Sequence, residues 1–362
     1  MTPATIAFNP DYAPPPGWLL EEHLEVAGLS HAEFARRCGR SPKLISEIIS
    51  AKAPVEPETA LQFEKVLGVS ARIWLGIEAD YQLHKARKAE ENAAANQKEW
   101  LQSFPLKEMV ERNFFSEPVS DVDALSKVLS FFRVGTIEAW SAKYASANVA
   151  YRHSPTFKSS DACLATWLRA GELIAEGQDT SDYNEAAFKA ALAEIRTLTL
   201  APVNEAMART RKLCADAGVT VALVKPFPKT ALSGAAWWHT PRRPVVQLSA
   251  RHKTDDHLWF SFFHEAAHII LHSKKTVFVD NGSTDGDAME AEANAWASHV
   301  LVPTASWRRF VASGPRSASA VKEFALDQSI APGIVVGMLQ HHGHLAWSHL
   351  NGLKVRLKWA DD

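Results

Sequence analysis

His264, Glu265 and His268 stand in the run H-E-A-A-H, residue types and spacing that can bind a metal ion and activate water. At 3.6 residues per turn, positions i and i+4 share one helical face, so both imidazoles can hold a single Zn2+. Glu265, beside the first ligand, can then serve as general base toward water polarised by that ion. Leu258, Trp259, Phe260, Phe262 and Phe263 lead into the run, and Ile269, Ile270 and Leu271 lead out, so a helix is expected. A buried amphipathic helix with hydrogen-bonded histidines would show the same five residues. A third ligand separates the two readings.

Catalytic zinc takes three protein ligands and one open position. A third histidine at the metzincin spacing is excluded, because that residue is Lys274. A carboxylate from a second helix is offered by M-E-A-E-A-N-A-W-A, residues 289–297. On a helical wheel Ala293, Trp296, Ala297, Val300 and Leu301 form one face. Glu290 lies at its edge and Glu292 is rotated away. Glu290 is therefore the expected ligand and Glu292 a solvated or supporting carboxylate. Asn294, one turn on from Glu290, could orient a ligand histidine by accepting its other ring N–H. HEAAH followed by E-A-E-A-N-A-W-A-S-H-V-L-V-P resembles the ImmA/IrrE family of zinc metallopeptidases. The resemblance implies a gluzincin-like domain over residues 201–350, with ligands His264, His268 and Glu290 and Glu265 as base.

The elements that position this chemistry follow from the flanking sequence. Val219–Val224, residues 231–238 and Val245–Ser249 read as short strands broken by Pro and Gly. In the resembling family a sheet flanks the zinc cleft, and its edge can bind an extended peptide. Ala236, Trp237 and Trp238 either line that cleft or fill the core. After Pro303 come an amphipathic stretch at Ser319–Ala325 and an apolar one at Ile330–Gln340. His341, His342, His344 and His349 follow, read as surface residues unless one donates to an oxyanion.

The amino-terminal part carries a different signature. Trp18, Leu19, Leu20 and Leu24 have helical spacing up to Gly28. Ser30 can cap a second helix, with Glu33 completing a capping box. Ser41 can cap a third, with Pro42 at its first position and Leu44, Ile45, Ile48 and Ile49 as its buried stripe. Two helices joined by a turn at Gly39 form a helix-turn-helix signature. The third helix would present Ser41, Lys43 and Ser46 to a DNA major groove, ringed by Arg36, Arg37, Arg40 and Lys52. Glu47 on the same helix works against that charge. The run from Leu29 to Leu75 resembles the Xre-type DNA-binding domain of HigA-like antitoxins, which implies a DNA-binding module over residues 14–87.

Between these parts, Glu78 to about Gln102 reads as a semi-rigid helical connector. Residues 103–215 read as helices, among them 123–132, 136–147, 161–176 and 185–197. Arg152, His153 and Trp167 stand out there singly and read as structural. The expected division is 14–87, 88–200 and 201–350. The expected fold is mainly α with a small β-sheet (α+β): a helix-turn-helix bundle, a helical middle and a gluzincin-like domain.

Formal net charge is −2 over 362 residues, so any nucleic-acid site must be local. Cys38, Cys163 and Cys214 are isolated and odd in number, which fits reduced thiols in a cytoplasm. No leader-like or membrane-spanning apolar run is present. Two functions follow. One is an antitoxin-like transcriptional regulator, a homodimer on double-stranded DNA at its own promoter, fused to a zinc peptidase that cleaves a regulatory protein or itself. The alternative is a non-catalytic antitoxin or repressor that neutralises a toxin by binding.

Overall fold

A computed structural model describes residues 12–94, 97–152, 161–228, 230, 232–272, 278–280, 288–314 and 317–359. His153, Lys274 and Ala231, each considered above, lie outside the described residues. The chain divides into two compact units, Met1–Lys98 with Ser120–Leu125, and Glu99–Val119 with Ser126–Asp362.

The first unit is built from α1 (Pro16–Ala27), α2 (His31–Cys38), α3 (Pro42–Ile49), α4 (Pro57–Leu67) and α5 (Ala71–Ala94). Ser30 Oγ accepts from Glu33 N at 3.2 Å, and Ser41 Oγ accepts from Leu44 N at 3.1 Å, so both expected caps form. The capping box is only half made, because the Glu33 carboxylate bonds Arg36 and Arg37. Gly39 has φ of 64°, the left-handed turn that swings α3 away from α2. Leu20, Leu24, Phe34, Ile45, Ile48, Phe63 and Trp74 form the core. Leu44 and Ile49 are half-buried. The Phe63 ring packs on Phe34 at 5.0 Å and on Trp74 at 5.4 Å. Burial of Trp74 explains why α5 starts ahead of Glu78. The helix ends at Ala94, short of Gln102, and a separate α6 (Lys98–Gln102) follows.

Next come α7 (Leu106–Glu111), α8 (Asp121–Phe132), α9 (Ile137–Arg152), α10 (Asp161–Gly177), α11 (Glu185–Leu198) and α12 (Val203–Asp216). In the second unit Arg169, 2% exposed, donates to Phe131 O, Glu172 and Glu176 at 2.7–2.8 Å. Trp167 is buried, with Nε1 donating to Val224 O at 2.9 Å, a structural role.

Strands β1 (Thr220–Leu223), β2 (Gly234–Thr240) and β3 (Arg243–Leu248) precede α13 (Asp255–Leu271), and β4 (Phe278–Asp280) follows it. The sheet order is β1-β3-β2-β4, one strand more than the sequence suggested. β1 runs parallel to β3, with Thr220 opposite Val245. β2 runs antiparallel to β3 and β4. The chain continues through α14 (Ala288–Leu301), α15 (Thr304–Ala312), α16 (Ala318–Asp327) and α17 (Pro332–His341). α13 packs on β2, β3, α14 and α17. Trp259, Phe262, Phe263 and Ala266 meet Val246, Ala297, Leu301 and Val335 in one core. A helix apolar on nearly every side is thereby buried. Ala236 and Trp237 are buried too, so they serve the core. The molecule is mainly helical with a small sheet.

Two carboxylates are buried at the start of α13. Asp255 Oδ1 accepts from Val355 N at 2.8 Å. Burial, aided by the Asp256 charge, pushes the Asp255 carboxyl up from 3.8 to about 6 against its backbone hydrogen bonds. The fold therefore favours the protonated form. This contribution is complete below about pH 4 and is lost as pH rises through 6. Relative to Asp255→Asn, the wild type should lose about 2 kcal/mol of stability between pH 4 and pH 7. Denaturant unfolding at both pH values measures this, and a pH-independent difference would reject it.

Candidate metal centre and nucleic-acid interface

α13 presents His264 and His268 on one face, and α14 brings Glu290 across from them. His264 Nε2 lies 3.0 Å from Glu290 Oε2, and His268 Nε2 lies 3.3 Å from Glu290 Oε1. The two Nε2 atoms are 3.1 Å apart. Ligands about 2.0–2.1 Å from a tetrahedral ion sit about 3.3 Å from each other, so this donor set fits such an ion.

The outward nitrogens decide which lone pairs face the cluster. Asn294 Oδ1 lies 3.0 Å from His264 Nδ1 and can only accept, so Nδ1 carries the proton and Nε2 is left as a donor atom. On His268, Nδ1 meets His272 Nδ1 at 2.9 Å, and His272 Nε2 meets Glu292 Oε2 at 3.3 Å. Glu292 accepts from His272 Nε2–H, His272 Nδ1 accepts from His268 Nδ1–H, and His268 Nε2 faces Glu290 with its lone pair. Glu292 thus reaches the cluster only through His272. His272 escaped the sequence reading, although it repeats the i+4 spacing from His268.

Burial lowers the His268 pKa, against the pull of Glu290, so the imidazole stays neutral. Burial would raise the Glu290 carboxyl, but hydrogen bonds and charge from His264 and His268 in their protonated forms outweigh it, so Glu290 ionises before the imidazoles lose their protons. Neutral imidazoles beside an ionised carboxylate form a ligating set.

Glu265 is fully buried on α13. A Cβ at residue 234 would lie 2.5 Å from Glu265 Oε1, so glycine lets β2 approach that carboxylate. His341 and His342 line a cavity of about 290 Å³ with Phe260, Ser298 and Trp307, and this cavity reaches Asn294. His349 is exposed, next to Ser348.

In the first unit, Lys43 on α3 is 84% exposed in its side chain, and Arg36 and Arg37 on α2 are 78% and 53% exposed. Ser46 and Lys52 are exposed as well. Glu33 partly neutralises the two arginines, and Glu47 lies 3.7 Å from Lys43. Arg40 turns toward α4, bonding Gln62 at 2.5 Å and Glu58 at 3.3 Å. The Ser41 hydroxyl is occupied in capping α3.

Comparison with known proteins bears on both units. The uncharacterised HTH-type transcriptional regulator YddM of Escherichia coli (strain K12) is 33% identical over 75 residues, 21% of this chain and 80% of that protein. Virulence-associated protein A of Dichelobacter nodosus is 36% identical over 74 residues, 20% of this chain and 72% of that protein. The chain belongs to the family of helix-turn-helix transcriptional regulators. Residues 214–324 of this helix-turn-helix regulator match the IrrE N-terminal-like domain, Peptidase M78. It is a DNA-binding regulator module fused to an IrrE-like domain. His264, Glu265, His268, Glu290 and Asn294 all fall inside the matched segment, and the histidines from His341 onward fall outside it. No described helix is long and apolar enough to cross a membrane.

Proposed function

We propose that this regulator is a cytoplasmic homodimer whose IrrE-like domain is a zinc metallopeptidase acting on a regulatory protein or on the chain itself. Residues 14–87 would bind operator DNA, 88–200 connect, and 201–350 carry the peptidase. The observation that carries the reading is the convergence of three donors. Among the described residues the candidate metal-binding group comprises His264, His268 and Glu290. A structural zinc site is closed by four protein ligands, whereas three leave a position for water. The three residues would hold Zn2+, which when bound supplies Lewis-acid polarisation of the scissile carbonyl and acidifies water. Glu265 would take a proton from water and deliver it to the leaving amine. Asn294 would fix His264, and the His272–Glu292 pair would fix His268. Three buried free cysteines suit a reducing compartment. Arg36, Arg37, Lys43, Ser46 and Lys52 would meet DNA, with Arg40 and Ser41 holding the turn that presents them.

A second reading, an antitoxin-like protein acting by contact, is favoured by exposed Trp18, Leu61 and Ile73 in the first unit. Bound zinc tests the first reading against the second. Elemental analysis should give close to one zinc per chain in the wild type and in Glu292→Ala, and little in Glu290→Ala. Zinc absent from the wild type, or retained by Glu290→Ala, would reject the peptidase site as assigned.

A further inference from the structure

The cavity of about 290 Å³ that reaches Asn294 adjoins the metal centre from the side of His264. Phe260 stands one turn before His264 on α13, with its ring centroid 6.3 Å from that imidazole and the planes 31° apart. Asn294 lines the same cavity, and its Oδ1 lies 3.0 Å from His264 Nδ1. A group seated there is one layer of side chains away from His264. It would lie beside any bond held at the centre.

The walls are aromatic. Phe260, Trp307 and His342 offer ring surface, and Met338 on α17 adds a polarisable thioether. The Trp307 and His342 centroids are 5.7 Å apart with planes at 47°, and His341 meets His342 edge-on at 5.4 Å. Burial lowers the His342 pKa, and charge on His341 and His344 lowers it further, so this imidazole presents a neutral ring at pH 7. Among the described residues that line the cavity there is no Asp, Glu, Lys or Arg, which disfavours a charged occupant. Phe260 and Trp307 are half-buried and keep surface that an apolar occupant would cover. The volume falls at the lower end of the roughly 300–1,000 Å³ of small-molecule sites, room for one large side chain.

We propose that this cavity takes an aromatic side chain of the peptide held at the metal centre, so that hydrolysis selects Phe, Tyr or Trp at one position flanking the scissile bond. Ser298, one turn beyond Asn294 on α14, keeps the cavity open because its side chain is small. The assignment rests on the peptidase reading of the neighbouring centre and names the substrate class for it.

Cleavage of a peptide library by the full-length, zinc-loaded protein tests it, with equilibrium binding as a second readout. Peptides with an aromatic residue at the selected position should exceed those with alanine by about 10–100-fold in kcat/KM, the effect of burying one aromatic side chain. Of two succinyl hydroxamates that differ only in a benzyl or a methyl side chain, the benzyl compound should bind at least about tenfold tighter by calorimetry. Ser298→Phe fills the cavity and should keep its zinc while losing both preferences. Should that variant misfold, His342→Ala at the exposed rim must weaken both preferences several-fold. Equal cleavage of aromatic and alanine peptides, or preferences unchanged in these variants, would overturn the subsite and leave the peptidase standing. If no library peptide is cleaved, the hydroxamate pair decides: a preference lost in Ser298→Phe supports the subsite, and equal affinities overturn it. No cleavage together with no hydroxamate binding would reject the peptidase reading and the subsite with it.

Discussion

Glu265→Gln is expected to retain zinc and to lose peptide hydrolysis by about 10²–10⁴-fold, the usual contribution of a positioned general base. Glutamine keeps the size and the hydrogen-bonding reach of the side chain beside Gly234, so α13 and the facing β2 strand should stay in place. It cannot take a proton from water. The measurement is cleavage of a proteome-derived peptide library, read by mass spectrometry, together with zinc content for each variant. Turnover retained in Glu265→Gln would reject the base assignment even with zinc present. His264→Ala and His268→Ala should lose both zinc and turnover, which separates a role in holding the ion from a role in moving the proton.

How far the sequence foretold this molecule depends on how local each signal was. α13 was legible because HEAAH lies within a dense apolar run, and such a run needs burial wherever it folds. The expectation of Glu290 over Glu292 came from helical phase alone, because two residues' rotation of about 200° separates the two carboxylates. His272 was passed over because it stands at the end of α13, where a histidine reads as a helix terminus. α12 was not singled out, since its buried positions are Ala206, Met207, Thr210 and Cys214, small or weakly apolar residues that mark the period faintly. β4 has three residues and takes its identity from pairing with β2, so no window along the chain reveals it. The bridge between Thr254 and Arg356 joins residues about a hundred positions apart and exists only through tertiary pairing.

Lys354→Met is expected to destabilise the second unit by about 3–5 kcal/mol, the cost of leaving one member of a buried ion pair alone. Lys354 and Asp256 are 8% and 4% exposed in their side chains, and Nζ lies 2.7 Å from Oδ2. The ammonium also donates to Gln340 Oε1 at 2.8 Å, which ties the tail segment to both α13 and α17. Without it the Asp256 carboxylate, 4% exposed, has lost its ion-pair partner, and its neighbour Asp255 is a second buried acid. Asp256→Asn combined with Lys354→Met should recover at least half of the loss, because no isolated charge remains. Guanidinium unfolding followed by tryptophan fluorescence reads both variants, and a loss below about 1 kcal/mol in Lys354→Met would mean that the pair is solvated as a surface bridge is. The same pair anchors the first turn of the helix that carries His264 and His268. A large loss would therefore also predict weaker zinc retention in Lys354→Met, restored in the double variant, since the ligands keep their spacing only while α13 is held at its start.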